Sequence, residues 1–150
     1  MKSIAEERAQ VQVPSFTNGG EYVVNLDAGK CTCPAYRYRG GECKHLRLAR
    51  AASRAGLDIS GASRGILADG RRVVVVDSMV HDYQPRTSSQ RFQSQIWGWG
   101  WGTWQHSLCF DGRRWLREST RIDVGESRVV EVDPENWLED LPVHCMAGAA

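Results

Sequence analysis

Three thiols and one imidazole stand close together in this chain, as Cys31-Thr32-Cys33 and then, after nine intervening residues, Cys43-Lys44-His45. Three thiolates and a neutral imidazole make a closed tetrahedral donor set for Zn²⁺, with no position left for water, so the chemistry is structural. Sulfur and imidazole nitrogen suit a borderline-soft ion, and Ca²⁺ or Mg²⁺, which take oxygen, are poor candidates. Cys31, Cys33, Cys43 and His45 are therefore the candidate ligands of one structural Zn²⁺.

Other uses of these residues compete. A disulfide inside Cys31-Thr32-Cys33 would be strained, because adjacent-but-one Cα atoms cannot reach relaxed geometry. Longer-range pairing leaves one of the five cysteines over. A catalytic Cys33–His45 pair is conceivable, but no further motif accompanies it.

The flanks favour the metal. Glu21-Tyr22-Val23-Val24-Asn25-Leu26 alternates as a strand and is followed by a turn at Asp27-Ala28-Gly29-Lys30. After the ligands, Leu46-Arg47-Leu48-Ala49 continues as a helix. From about Gln12 to Ala55 the chain resembles a SWIM-type zinc finger, whose pattern is Cys-x-Cys, a variable gap, then Cys-x-His. In that family the first pair follows a β-hairpin and the second opens a helix. Pro34, Tyr36 and Gly40-Gly41 sit in the gap. The resemblance implies a zinc-binding module of the kind found in transposase-like, chromatin-remodelling and recombination-associated proteins, where it binds DNA or protein.

The elements that must position these ligands follow from pattern. Val11-Gln12-Val13 reads as a strand that Pro14 confines to a sheet edge. Asn18-Gly19-Gly20 turns it into the strand Glu21–Leu26. Over Lys44–Ala55, helical periodicity gathers His45, Leu48, Ala49, Ala52 and Ala55 on one face, and Gly56 follows as the C′ residue. Lys44, Arg47, Arg50 and Arg54 form a second, cationic face. Ser3-Ile4-Ala5-Glu6 fits a capping box before a short helix.

Residues 57–71 lose periodicity and read as a linker. Arg72-Val73-Val74-Val75-Val76-Asp77 reads as a buried central strand, and His81–Gln90, with Pro85, as a loop. Gln90–Trp101 looks extended. Asp111-Gly112 joins Gln105–Phe110 to Arg113–Arg117 as a second hairpin. Val129–Val132 adds a strand, and Asp133-Pro134 opens a helix over Glu135–Leu141. The expected fold is α+β. It comprises a zinc-stapled hairpin-and-helix module (1–56), the linker (57–71), a small, mostly antiparallel β unit with a terminal helix (72–146), and a frayed tail (147–150). A module of about 45 residues has too little core to fold alone, so loss of zinc is expected to unfold it while the later sheet persists.

Composition sets the limits. At 41% hydrophobic and 25% charged in 150 residues, the chain is ordinary for a globular protein. No apolar run spans a membrane, and Met1–Glu7 has no signal-type apolar core, so a reducing cytoplasm is expected. The net charge of +1 is unevenly spread: residues 1–54 carry nine Lys/Arg against five Asp/Glu, and residues 55–150 carry ten against thirteen. Arg37, Arg39, Lys44, Arg47, Arg50 and Arg54 concentrate the positive charge on the zinc module, opposed between Cys31 and Arg54 only by Glu42. They are candidate phosphate contacts, although a solvated helix face would have the same composition.

Trp97-Gly98-Trp99-Gly100-Trp101-Gly102 invites two readings. Trp97, Trp99 and Trp101 on one face of a strand would stack unpaired bases or dock a partner. They would equally well build the core of a small sheet, which an exposed row of indoles makes the preferred reading. His106, Cys109, His144 and Cys145 are irregularly spaced for a second metal site, and Asp77, His81 and Asp82 have no motif around them. No P-loop, Gly-x-Ser-x-Gly or His-Glu-x-x-His occurs, so no enzyme and no small-molecule substrate is expected. Two functions remain: a nucleic-acid-binding accessory protein, DNA ahead of RNA, and a protein-interaction adapter docking through the Trp-rich β unit.

Overall fold

The structure is a computed structural model that describes residues 10–84, 86–89, 91–92, 102–139 and 141. The capping-box helix and the Trp97–Trp101 row therefore lie outside the described residues, as do His144 and Cys145. Two antiparallel sheets carry the α+β fold, one of three strands and one of five.

The first sheet has the order β1 (Gln10–Pro14), β2 (Glu21–Asn25), β3 (Lys30–Cys31), with β1 on the edge where its proline costs no ladder bond. Its first loop is held by side chains standing in for backbone. Ser15 Oγ accepts from the N–H of Thr17 and of Asn18, each at 3.2 Å, and Asn18 Oδ1 accepts from Gly20 N at 2.8 Å. In β2, alternation sends Val24 into the core, with Tyr22 and then Leu26 packed on the same side.

Two helices follow. The six residues of α1 (Pro34–Arg39) occupy the gap between the ligand pairs, and α2 spans Lys44–Ala55. Gly56, in the left-handed conformation at φ 70°, closes α2 with its N–H directed to Ala52 and Ser53 carbonyls. The buried face of α2 is wider than periodicity alone suggested. Leu46 and Ala51 join Leu48, Ala49 and Ala52 in a core that also takes in Val74 and Phe110 of the second sheet.

The second sheet is a meander in chain order: β4 (Ser63–Ile66), β5 (Arg72–Tyr83), β6 (Gly102–Phe110), β7 (Trp115–Arg121) and β8 (Glu126–Glu131). Its Asp111-Gly112 turn is where the sequence placed it, with Asp111 Oδ1 accepting from Arg113 N and Arg114 N at 2.8 Å. A bulge between Val75 and Asp77 shifts the register of β5 against β6. Val74 and the bulged Val76 face the zinc module, whereas Val73 and Val75 face a separate cluster with Leu67, Cys109 and Leu116.

Several local expectations are corrected. Within 57–71, read as linker, Ser63–Ile66 is a strand paired to β5, and Ile59 and Leu67 are buried. Of the supposed loop His81–Gln90, His81–Tyr83 completes β5, where pairing to Gly102–Trp104 overrides weak local propensity. Arg91 and Phe92, expected to be extended, are helical, with Arg91 N donating to Thr87 O at 3.0 Å. The terminal helix is only a 3₁₀ turn, Pro134–Asn136, capped by Asp133 Oδ1 as its sequence suggested.

One core cluster crosses from sheet to sheet. Val13, Val24, Leu46, Leu48 and the three cysteines of the module share it with Ile59, Val74 and Phe110.

Candidate metal centre

Each ligand is delivered by a different piece of local structure. Cys31 ends β3, Cys33 is the N-cap of α1, Cys43 is the N-cap of α2, and His45 lies in the first turn of α2. The two caps explain where the helices start. Cys33 Sγ accepts from Tyr36 N and Cys43 Sγ from Leu46 N, both at 3.4 Å, so sulfur does what a serine or aspartate oxygen does at ordinary helix starts. Cys33 N in turn donates to Cys31 Sγ at 3.4 Å. Backbone N–H groups and the positive ends of two helices thus face sulfurs that must become thiolates, which favours the anionic form.

The four ligand atoms lie within 4.8 Å of one another. Zinc–sulfur bonds of about 2.3 Å in a tetrahedron place sulfurs about 3.8 Å apart, so the cluster is of zinc size. His45 supplies an independent test. Both of its ring nitrogens are buried, and neither has a hydrogen-bond partner. Left so, the imidazole would carry an uncompensated desolvation cost, and coordination of one nitrogen removes it for that atom. Burial pushes the Cys31 thiol up to about 12 and raises that of Cys43, and burial, helped by Lys44, lowers the His45 imidazole. A dry pocket that disfavours lone thiolates but welcomes a neutral imidazole calls for a divalent cation in place of the thiol protons. The centre is a structural site for one Zn²⁺, held by Cys31, Cys33, Cys43 and His45. Two rings orient the histidine: Tyr22 at 4.8 Å and Phe16 at 5.6 Å between centroids.

The other candidates are placed as follows. His106 and Cys109 are buried on opposite faces of β6, so the strand itself separates them. His106 Nδ1 instead lies 2.7 Å from Ser119 Oγ. Among the described residues no further group of three His, Cys, Asp or Glu side chains converges as a metal site would require.

The six basic candidates fall into two sets. Arg47 Nε lies 3.1 Å from Glu42 Oε1 and Arg50 Nη1 lies 2.5 Å from Glu42 Oε2, so one carboxylate ties down two arginines of the helix face. These hydrogen bonds, Arg50 first, hold the Glu42 carboxyl below its usual range. Arg47 also donates to Gly112 O at 3.4 Å, while Lys44 spans Phe16 and the Gly112 turn. Arg37, Arg39 and Arg54 are exposed, and their guanidinium groups join no ion pair among the described residues. Sequence reasoning missed Glu42 as a clamp, although its being the lone acid between Cys31 and Arg54 was the available signal.

Two clefts flank α1. One, of about 500 Å³, lies beside the metal centre and is lined by Phe16, Tyr22, Arg39, Glu42, Lys44 and Arg47. The second, of about 530 Å³, is lined by Lys30, Thr32, Tyr36 and Arg37.

Compared with known proteins, residues 22–49 match the model of the SWIM zinc finger family, a span that contains all four ligands. No curated protein and no solved structure matches the chain. No helix among the described residues is long and apolar enough to cross a membrane.

Proposed function

Given the SWIM zinc finger at residues 22–49, we propose that this chain is a non-catalytic, nucleic-acid-binding accessory protein of the cytoplasm, with DNA the preferred partner over RNA. The observation that carries this reading is the set of exposed cations around the zinc centre with neither an ion-pair nor an aromatic partner among the described residues: Lys30, Arg37, Arg39 and Arg54. In this reading the ion is scaffold. It fixes the starts of α1 and α2, and those helices hold guanidinium groups at set positions for phosphate oxygens. Such contacts give orientation and modest affinity without reading sequence.

The test is a binding titration with DNA and RNA across salt concentration. Four phosphate contacts predict a slope of log affinity against log salt of about −3 to −4 for duplex DNA. No binding at low salt, or binding indifferent to salt, overturns the proposal.

A second reading is a protein-interaction adapter, with zinc again as scaffold. It draws on the apolar side chains that the larger sheet and its turns leave exposed, among them Ile66, Val80, Ile122 and Val124. Binding of no nucleic acid, combined with self-association or partner capture lost on Val80→Asp, would favour it.

A further inference from the structure

The most exposed large apolar side chain among the described residues is Tyr38, at 90%. It sits on α1 between Arg37 and Arg39, both exposed as well. This short helix is held at both ends and from beneath. Cys33 caps its start, Gly40 at φ 68° closes it with an N–H donated to Tyr36 O at 2.8 Å, and Tyr36 packs on the core. Tyr38 is thus presented on a fixed crest rather than on a floppy loop, and no internal contact accounts for its ring.

Residues of α1 on either side of Tyr38 line the two clefts described above, and Tyr38 itself lines neither. Arg37 and Lys30 line one, and Arg39 and Lys44 line the other. An aromatic ring standing between two cationic troughs matches the repeat of a single strand, in which a base is flanked by a phosphate on each side. In a duplex the bases are stacked on one another and offer no free face to an isolated ring, although their phosphates remain available to arginine.

We propose that α1 is a stacking platform for single-stranded nucleic acid, with Tyr38 on an unpaired base and Arg37 and Arg39 on the phosphates either side. This rests on the nucleic-acid reading above and names the class of ligand that site prefers. Tyr38 supplies stacking, which only unpaired bases can use, and the two arginines supply charge, which either form can use.

The experiment is equilibrium binding of the zinc-loaded full chain to a labelled oligothymidylate of about twelve nucleotides and to a duplex of equal length. Tyr38→Ala should weaken the single strand about tenfold and the duplex less than about twofold, while Tyr38→Phe, which keeps the ring, stays within about twofold of the parent on both. Arg37→Ala/Arg39→Ala should weaken both ligands and flatten the salt slope by about two. The platform is overturned if Tyr38→Ala leaves the single strand unaffected, weakens both ligands equally, or loses zinc. A parent protein that binds duplex but not oligothymidylate overturns the platform and leaves the broader reading standing. Binding neither at low salt overturns both.

Discussion

The ring of Tyr22 stands edge-on to that of His45, with centroids 4.8 Å apart and planes at 61°. His45 has no hydrogen bond on either ring nitrogen, so packing by Tyr22 and Phe16, rather than a hydrogen-bonded partner, sets the direction of its lone pair. Tyr22→Ala should therefore weaken zinc about tenfold while leaving the stoichiometry at one, as read by competition with a chromophoric chelator. Cys33→Ser should weaken it far more. Equal affinity in Tyr22→Ala and parent would mean that the imidazole is held by coordination alone.

Removing the metal should reach beyond the module. Val74 and Phe110 belong to the same core cluster as Leu46, Leu48 and the ligand cysteines. Chelation should abolish amide-exchange protection over Cys31–Ala55 and also lower it at Val74 and Phe110, while the β7–β8 ladder remains protected. This revises the expectation that the whole later sheet persists. Cobalt in place of zinc should give the visible absorption of a tetrahedral thiolate site, and its absence would mean that the three cysteines do not share one ion.

What could be read from sequence, and what could not, divides along the range of the forces involved. The α2 boundaries were legible because periodicity over Lys44–Ala55 and Gly56 after it act locally. The β1–β2 and β6–β7 hairpins were legible from Asn-Gly and Asp-Gly. By contrast, α1 was missed because its six residues, none of them buried, are too few to show a helical period. The strand Ser63–Ile66 was missed because its pairing to β5 is a tertiary fact. Gly65, which weakens any local strand signal, is there because an added Cβ would meet Val75 Cγ2 at 2.8 Å. The ligands were legible as a set. The pairing of Arg47 and Arg50 was not, since Glu42 lies before the helix and matches no i,i+4 spacing.

Releasing those two arginines should strengthen binding. Glu42→Gln keeps the shape of the side chain but removes its charge, and should raise affinity for both nucleic-acid forms a few-fold at low salt and steepen the salt slope by about one to two. Because Glu42 is exposed, thermal stability should barely change. Unaltered affinity would mean that Arg47 and Arg50 face no phosphate.

Cys109 offers a check on the larger sheet. Burial first, and then the charge of Glu118, push its thiol up to about 12 from 9.0. The folded chain therefore keeps this proton where the unfolded chain gives it up. Its contribution to stability is intact below about pH 9 and drains away as pH rises towards about 12. Cys109→Ala should flatten that alkaline decline in a series of denaturant melts. In the native protein at pH 8, Cys109 should react with a thiol reagent only as fast as the sheet opens.

Gly112 has φ 106°, and a Cβ there would meet Lys44 Cδ at 2.9 Å, while its carbonyl takes a hydrogen bond from Arg47. The second hairpin is therefore threaded beneath side chains of the very helix that carries His45. A finger transplanted alone, ending at Gly56, would leave behind this buttress along with Ile59, Val74 and Phe110. It would chelate its ion yet present a bare greasy flank to solvent. For this chain the portable unit is larger than residues 22–49, the span that matches the SWIM zinc finger model.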